Sequence, residues 1–101
     1  VTMLCGGLGN VQDATAKVQQ ICDELKPNVE EKAGKTFDVF TAKTFTTQVV
    51  AGTNYFIKVF VGNNDYIHLR IYETLPHAGS KLQLHSLQTE KTDQDQLAYF
   101  D

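Results

Sequence analysis

The sequence predicts an α+β fold, one kinked helix packed across a twisted antiparallel β-sheet, and three observations support it. One segment, residues 13–34, places apolar side chains at steps of three and four. From residue 45 onward the apolar step changes to two. The alternating segments follow one another as a meander, so the helix has a sheet face to cover. At 101 residues, 42% of them apolar, the chain is expected to form a single domain, 1–101, behind a flexible N-terminal arm, 1–12, rich in glycine (Gly6, Gly7, Gly9).

Val18, Ile21, Cys22, Leu25 and Val29 form the helix's apolar stripe, with Lys17, Asp23, Glu24, Glu30 and Glu31 on the other side. Asp13 or Thr15 can cap its start, and Lys32 with Gly34 suits its end. Pro27 removes one helical amide, but the stripe stays in phase to Val29, which predicts one bent helix rather than two. Three strands follow: Phe45, Thr47 and Val49 alternate with Thr46 and Gln48; Tyr55 to Val61 alternate with Phe56, Lys58 and Phe60; and Ile67, Leu69 and Ile71 alternate with His68, Arg70 and Tyr72. Only the odd-numbered face is expected to be buried. Keeping the odd faces of the last two strands together requires a three-residue loop, Asn63-Asn64-Asp65, or a bulge. The outer face would then pair Phe60 with His68, Lys58 with Arg70 and Phe56 with Tyr72. A fourth strand runs from Leu82 to about Leu87, and polar residues lead to a short apolar end, Leu97-Ala98-Tyr99-Phe100.

Composition excludes several functions. Nine basic against twelve acidic side chains, net charge −3, offer no electrostatic footprint for nucleic acid. No run approaches the roughly 18 apolar residues of a membrane span, and residues 1–10 lack the build of a secretory signal. Two cysteines, Cys5 and Cys22, and no Asn-x-Ser/Thr acceptor fit a reducing compartment. No catalytic or metal-binding set emerges: His68, His77 and His85 have no ligand-spaced partner, Cys22 lies on the helix's apolar stripe, and Cys5 sits in the arm. His68, on the outer face, reads as a surface histidine. The sequence implies no cofactor and no enzyme activity.

The unusual residues fall at turns. Gln48-Val49-Val50-Ala51-Gly52 carries apolar side chains into a hairpin tip, and Leu75-Pro76-His77 does the same in the loop before the fourth strand. In a meander these two connections lie at the same end of the sheet, opposite Asn63-Asn64. Their side chains either fold back into the core or form a projecting apolar edge.

With its continuation Thr53-Asn54-Tyr55-Phe56-Ile57-Lys58-Val59, the pentapeptide resembles the signature of the cystatin superfamily of cysteine-protease inhibitors. The resemblance extends from Met3-Leu4-Cys5-Gly6 through Lys26-Pro27 and Leu75-Pro76-His77 to Leu97-Ala98-Tyr99-Phe100. Unpaired cysteines and Leu-Pro-His in the second loop are similar to the stefins, the type 1 branch, and the cysteine directly before Gly6 is similar to their B subgroup. The resemblance implies a cytoplasmic protein, present also in the nucleus, that enters the cleft of papain-like proteases (papain and cathepsins B, H, L and S). It assigns protease contact to three parts: Met3, Leu4, Cys5 and Gly6 of the arm; Gln48, Val49, Val50, Ala51 and Gly52 of the first loop; and Leu75, Pro76 and His77 of the second. The doubled glycine Gly6-Gly7 departs from the family pattern and loosens the arm. The resemblance also implies a monomer able to exchange its helix and neighbouring strands with a second copy. A competing reading is a non-inhibitory adaptor that meets another protein through outer-face Phe56, Phe60, Tyr66 and Tyr72. A metal or redox role for Cys5 and the histidines ranks below both.

Overall fold

In the computed structural model, which describes residues 8–101, the helix α1 spans Ala16–Ala33 and is set by its caps. The Thr15 hydroxyl accepts from the Val18 amide at 3.2 Å, and Gly34, in the left-handed region at φ 76°, donates its amide to the Glu30 carbonyl at the other end. Pro27 lies inside an unbroken helix on its exposed side, and the buried residues are Val18, Ile21, Cys22, Leu25 and Val29, the expected stripe. Three hydrogen bonds, through the Gln19 carboxamide and the Glu30 carboxylate, tie the helix to the chain that follows it. Gln19 accepts from the Ala42 amide at 2.8 Å and donates to the Phe40 carbonyl at 3.0 Å; Glu30 accepts from the Phe37 amide at 2.8 Å.

The sheet has five antiparallel strands in chain order: β1 Gln12–Asp13, β2 Thr41–Val50, β3 Gly52–Gly62, β4 Asp65–Glu73 and β5 Leu82–Lys91. Its inner face, Tyr55, Ile57, Val59, Ile67, Leu69 and Ile71, packs against the helix stripe, with Leu84 and Leu87 of β5 at the margin. Ile57, Val59, Ile67, Leu69 and Ile71, all fully buried, contribute about 1.5–3 kcal/mol each. Ala42 joins the same core as Phe45 because a bulge between Ala42 and Thr44 changes the parity of β2.

One open choice is decided, and the outer-face pairs and two element bounds are corrected. Of the two solutions parity allows at the β3–β4 turn, the structure uses the bulge. Asn63 and Asn64 form a two-residue turn at φ 52° and 58°, Gly62 pairs with Asp65, and the register shifts between Phe60 and Gly62. The outer-face pairs therefore stand two residues away from the expected ones: Phe60 with Tyr66, Lys58 with His68, and Phe56 with Arg70. The chain expected as arm through residue 12 is already strand at Gln12, which pairs with Phe45, and β5 continues past Leu87 to Lys91.

The largest correction concerns the outer face, whose centre, Phe56, Lys58 and His68, is buried. Residues 92–101 fold back across it as a strap. The Lys58 ammonium donates to the carbonyls of Asp93 at 2.8 Å and Asp95 at 2.6 Å, and Arg70 donates to the Phe100 carbonyl at 3.0 Å. Phe56, completely buried, meets the rings of Tyr99 and Phe100, each at 5.7 Å, and the Arg70 guanidinium lies 5.0 Å from the Tyr99 ring centre. His68 is buried under the strap rather than on the surface, and an adaptor surface centred on Phe56 is already occupied by the chain's own C-terminus.

Candidate functional site

The end of the sheet where β2 turns into β3 carries three of the six large apolar side chains exposed among the described residues, the others being Val11, Val39 and Tyr99. Val49 is 77% exposed, Val50 43% and Leu75 37%. Both loops stand side by side because β3 is hydrogen-bonded to β4: Val50 pairs with Gly52 across the turn, leaving Ala51 alone at the tip, and the next residue, Thr53, pairs with Glu73. Of the two fates open to these side chains in sequence, projection is the one realised.

Glycine at position 52 is a structural requirement. Its φ is 117°, and a Cβ there would stand 2.5 Å from the Glu73 carbonyl oxygen and 2.7 Å from the Tyr72 hydroxyl. The tip is thus pressed against β4, and the Tyr72 hydroxyl donates a hydrogen bond to the Ala51 carbonyl. Gln48, by contrast, is buried within the hairpin and accepts from the Asn54 carboxamide at 2.8 Å, one strand across. Its position braces the loop from behind while Val49 and Val50 face outward.

The second loop is closed by its own backbone. The Thr74 amide donates to the Lys81 carbonyl at 2.9 Å, the Lys81 amide donates to the Thr74 hydroxyl at 2.7 Å, and the Leu75 carbonyl accepts from Ala78 at 2.9 Å and Ser80 at 3.2 Å. Between these ties Pro76–Ala78 make one 3-10 turn, which leaves Leu75, Pro76 and His77 exposed. Behind the loops Glu73 accepts from the Tyr55 hydroxyl at 3.2 Å and lies 3.7 Å from the Lys17 ammonium, whose pKa the Tyr55 hydroxyl and then Glu73 hold above its usual value.

Met3, Leu4, Cys5 and Gly6 lie outside the described residues. Among the described residues the first backbone tie to the sheet is at Gly9, whose amide donates to the Thr47 carbonyl at 3.0 Å and whose carbonyl accepts from the Thr46 hydroxyl at 2.7 Å. Because β1 runs antiparallel to β2, going back from Asp13 to Gly9 moves along β2 from Thr44 to Thr47, toward the end that bears Val49 and Val50.

The described titratable side chains of the fold are structural in their settings. Among the described residues no three His, Cys, Asp or Glu side chains converge on a metal position. The Cys22 thiol is buried in the core, and burial, with Asp23 adding, pushes its pKa up to about 12, so it carries no reactive thiolate. His68 is held neutral: burial first, then the charges of Lys58 and Lys91, push its pKa down to about 4. Sequence reasoning missed the braces, Asn54 and Tyr72. Only their cross-strand positions relative to Gln48 and Gly52 mark them, and those depend on the register.

One helix across an antiparallel sheet, with two apolar loops projecting at one end, is the architecture of a cystatin-like protein. The comparisons agree: a cystatin domain matches residues 6–94, and the chain belongs to the cystatin family, inhibitors of cysteine proteases. It is 54% identical over 100 residues to cystatin-B of Oplegnathus fasciatus, covering 99% of this chain and all of the relative. Cystatin-B of Paralichthys olivaceus is 54% identical and that of Homo sapiens 50%, each over 98 residues, 97% of this chain and all of the relative. These matches place the chain among the stefin B-like members. No described helix is long and apolar enough to cross a membrane.

Proposed function

We propose that the protein is a reversible, tight-binding, competitive inhibitor of papain-like cysteine proteases, papain and cathepsins B, H, L and S among them. In this reading it fills the cleft with the arm (Met3, Leu4, Cys5, Gly6), the first loop (Gln48–Gly52) and the second loop (Leu75, Pro76, His77). The observation that carries the proposal is the pairing of exposed Val49, Val50 and Leu75 with turns locked from behind. Valine and proline lose little rotamer entropy on burial, and a hairpin held by register and by Gly52 has little left to order, so apolar contact converts efficiently into affinity. A turn at Ala51 also offers the enzyme's thiolate no extended peptide to attack. Gln48 supports the first loop through Asn54, and the arm adds contacts whose ordering costs entropy, so it tunes an affinity that the loops establish.

Mixing the protein with active-site-titrated papain and a fluorogenic peptide tests the reading. Inhibition at nanomolar protein, about −12 kcal/mol or stronger, is expected; full activity at micromolar protein overturns it. The stefin B likeness supports an intracellular setting for these encounters, and a monomer that can exchange elements with a second copy by straightening at Ala51. Size-exclusion chromatography after mild heating is expected to show a dimer peak, and an unchanged monomer peak contradicts the exchange.

A further inference from the structure

Tyr72 belongs to β4, the strand that leads into the second loop, yet its hydroxyl donates to the carbonyl of Ala51, the one residue at the tip of the first. The reach is explained by the register. Tyr72 pairs with Asn54, two residues along β3 from Gly52, and its side chain leans toward the turn. The absence of a side chain at Gly52 is what makes room, since a Cβ there would stand 2.7 Å from the Tyr72 hydroxyl and 2.9 Å from its ring carbon Cε1.

Ala51 has no cross-strand partner in the register that pairs Val50 with Gly52, so its peptide stands at the very end of the ladder. We propose that Tyr72 is a positioning residue for inhibition: its hydroxyl fastens the Ala51 peptide to β4 and makes the two loops one rigid body. The inference rests on the inhibitory reading above. Without the hydroxyl the tip gains conformers in the free protein, and the protease must select one of them and hold it. Preorganisation of this kind is lost mainly as faster dissociation.

The test is Tyr72→Phe, which keeps the ring and removes the oxygen, beside Tyr66→Phe, which removes a hydroxyl at the opposite end of β4. Tyr72→Phe is expected to raise the dissociation rate from papain about threefold to tenfold, the size of one neutral hydrogen bond, with association unchanged. In the free protein, amide exchange at residues 51–53 is expected to accelerate while the rest of the sheet and the Tm keep their values, because the freed carbonyl turns to water. Tyr66→Phe is expected to change neither reading at the tip. Unchanged exchange at residues 51–53 in Tyr72→Phe, or acceleration spread evenly over the sheet, overturns the proposal. Failure of the unmodified protein to inhibit papain counts against the inhibitory reading, whereas the exchange comparison decides the brace by itself.

Discussion

Lowering the pH is predicted to weaken the fold through His68. In the native state this imidazole is 1% exposed, pairs across the sheet with Lys58, and also feels Lys91 and, in the opposite sense, Asp95. Its pKa falls from 6.5 to about 4, first through burial and then through Lys58. The folded state therefore resists a proton that the unfolded chain accepts readily, so the neutral imidazole favours folding fully above about pH 6.5 and progressively less as pH falls toward 4. Working the linkage through at pH 5, where the unfolded histidine is almost wholly charged and the folded one mostly neutral, gives a loss of about 2 kcal/mol relative to pH 7.5. Urea unfolding followed by far-UV circular dichroism at pH 7.5, 6 and 5, for the natural chain and for His68→Leu, measures it. The carboxylates titrate in both proteins, so their contribution cancels in the difference, and a constant packing effect of leucine shifts the curves without tilting them. The natural chain is expected to lose about 2 kcal/mol more than the variant over this range. Parallel pH profiles would refute the reasoning, because they would mean that protonated His68 is accommodated in the native sheet.

Gly52→Ala forces a methyl against the Glu73 carbonyl and the Tyr72 hydroxyl at a φ of 117°; a loss of about 1–3 kcal/mol in urea unfolding, with weaker papain inhibition, is expected. Lys58→Met removes the donor to the Asp93 and Asp95 carbonyls and should loosen the strap, measured as faster amide exchange and proteolysis within residues 92–101. Val49→Asp, at a side chain that packs on little in the free protein, should leave Tm unchanged while weakening papain binding at least about hundredfold. Deleting residues 1–6 should raise the dissociation rate more than it lowers the association rate, checked by stopped-flow and surface-plasmon measurements.

The helix is legible because its signals are local. Five apolar residues at helical spacing, a Thr15 cap and a Gly34 stop lie within one stretch of chain, and Pro27 sits on the solvent side where it disturbs no packing. The two apolar loops are equally legible, since an apolar turn is conspicuous in sequence and a meander places alternate turns at the same end. The outer face is not. Phe56, Lys58 and His68 look like the solvent side of alternating strands, and contacts with a distant part of the chain, such as Lys58 with Asp93, 35 residues on, bury them. The apolar Leu97-Ala98-Tyr99-Phe100 end is the one sequence signal that something covers a sheet face. Register escaped for a similar reason: parity permits a longer loop or a bulge, and the choice of a bulge beyond Phe60, with Asn63 and Asn64 both tolerating positive φ, moves every outer pair by two residues. That shift is what decides which side chain stands beside Gly52, and hence why the Tyr72 brace cannot be read from the strand pattern alone.

The central claim is that the edge formed by Val49, Val50 and Leu75 occupies the cleft a substrate would use. The apparent inhibition constant of papain, measured over a wide range of fluorogenic substrate concentrations, tests this most directly. A constant that rises linearly with substrate, extrapolating to nanomolar or tighter at zero substrate, is the predicted result. Inhibition that does not change as substrate is raised would place the contact outside the cleft and contradict the account.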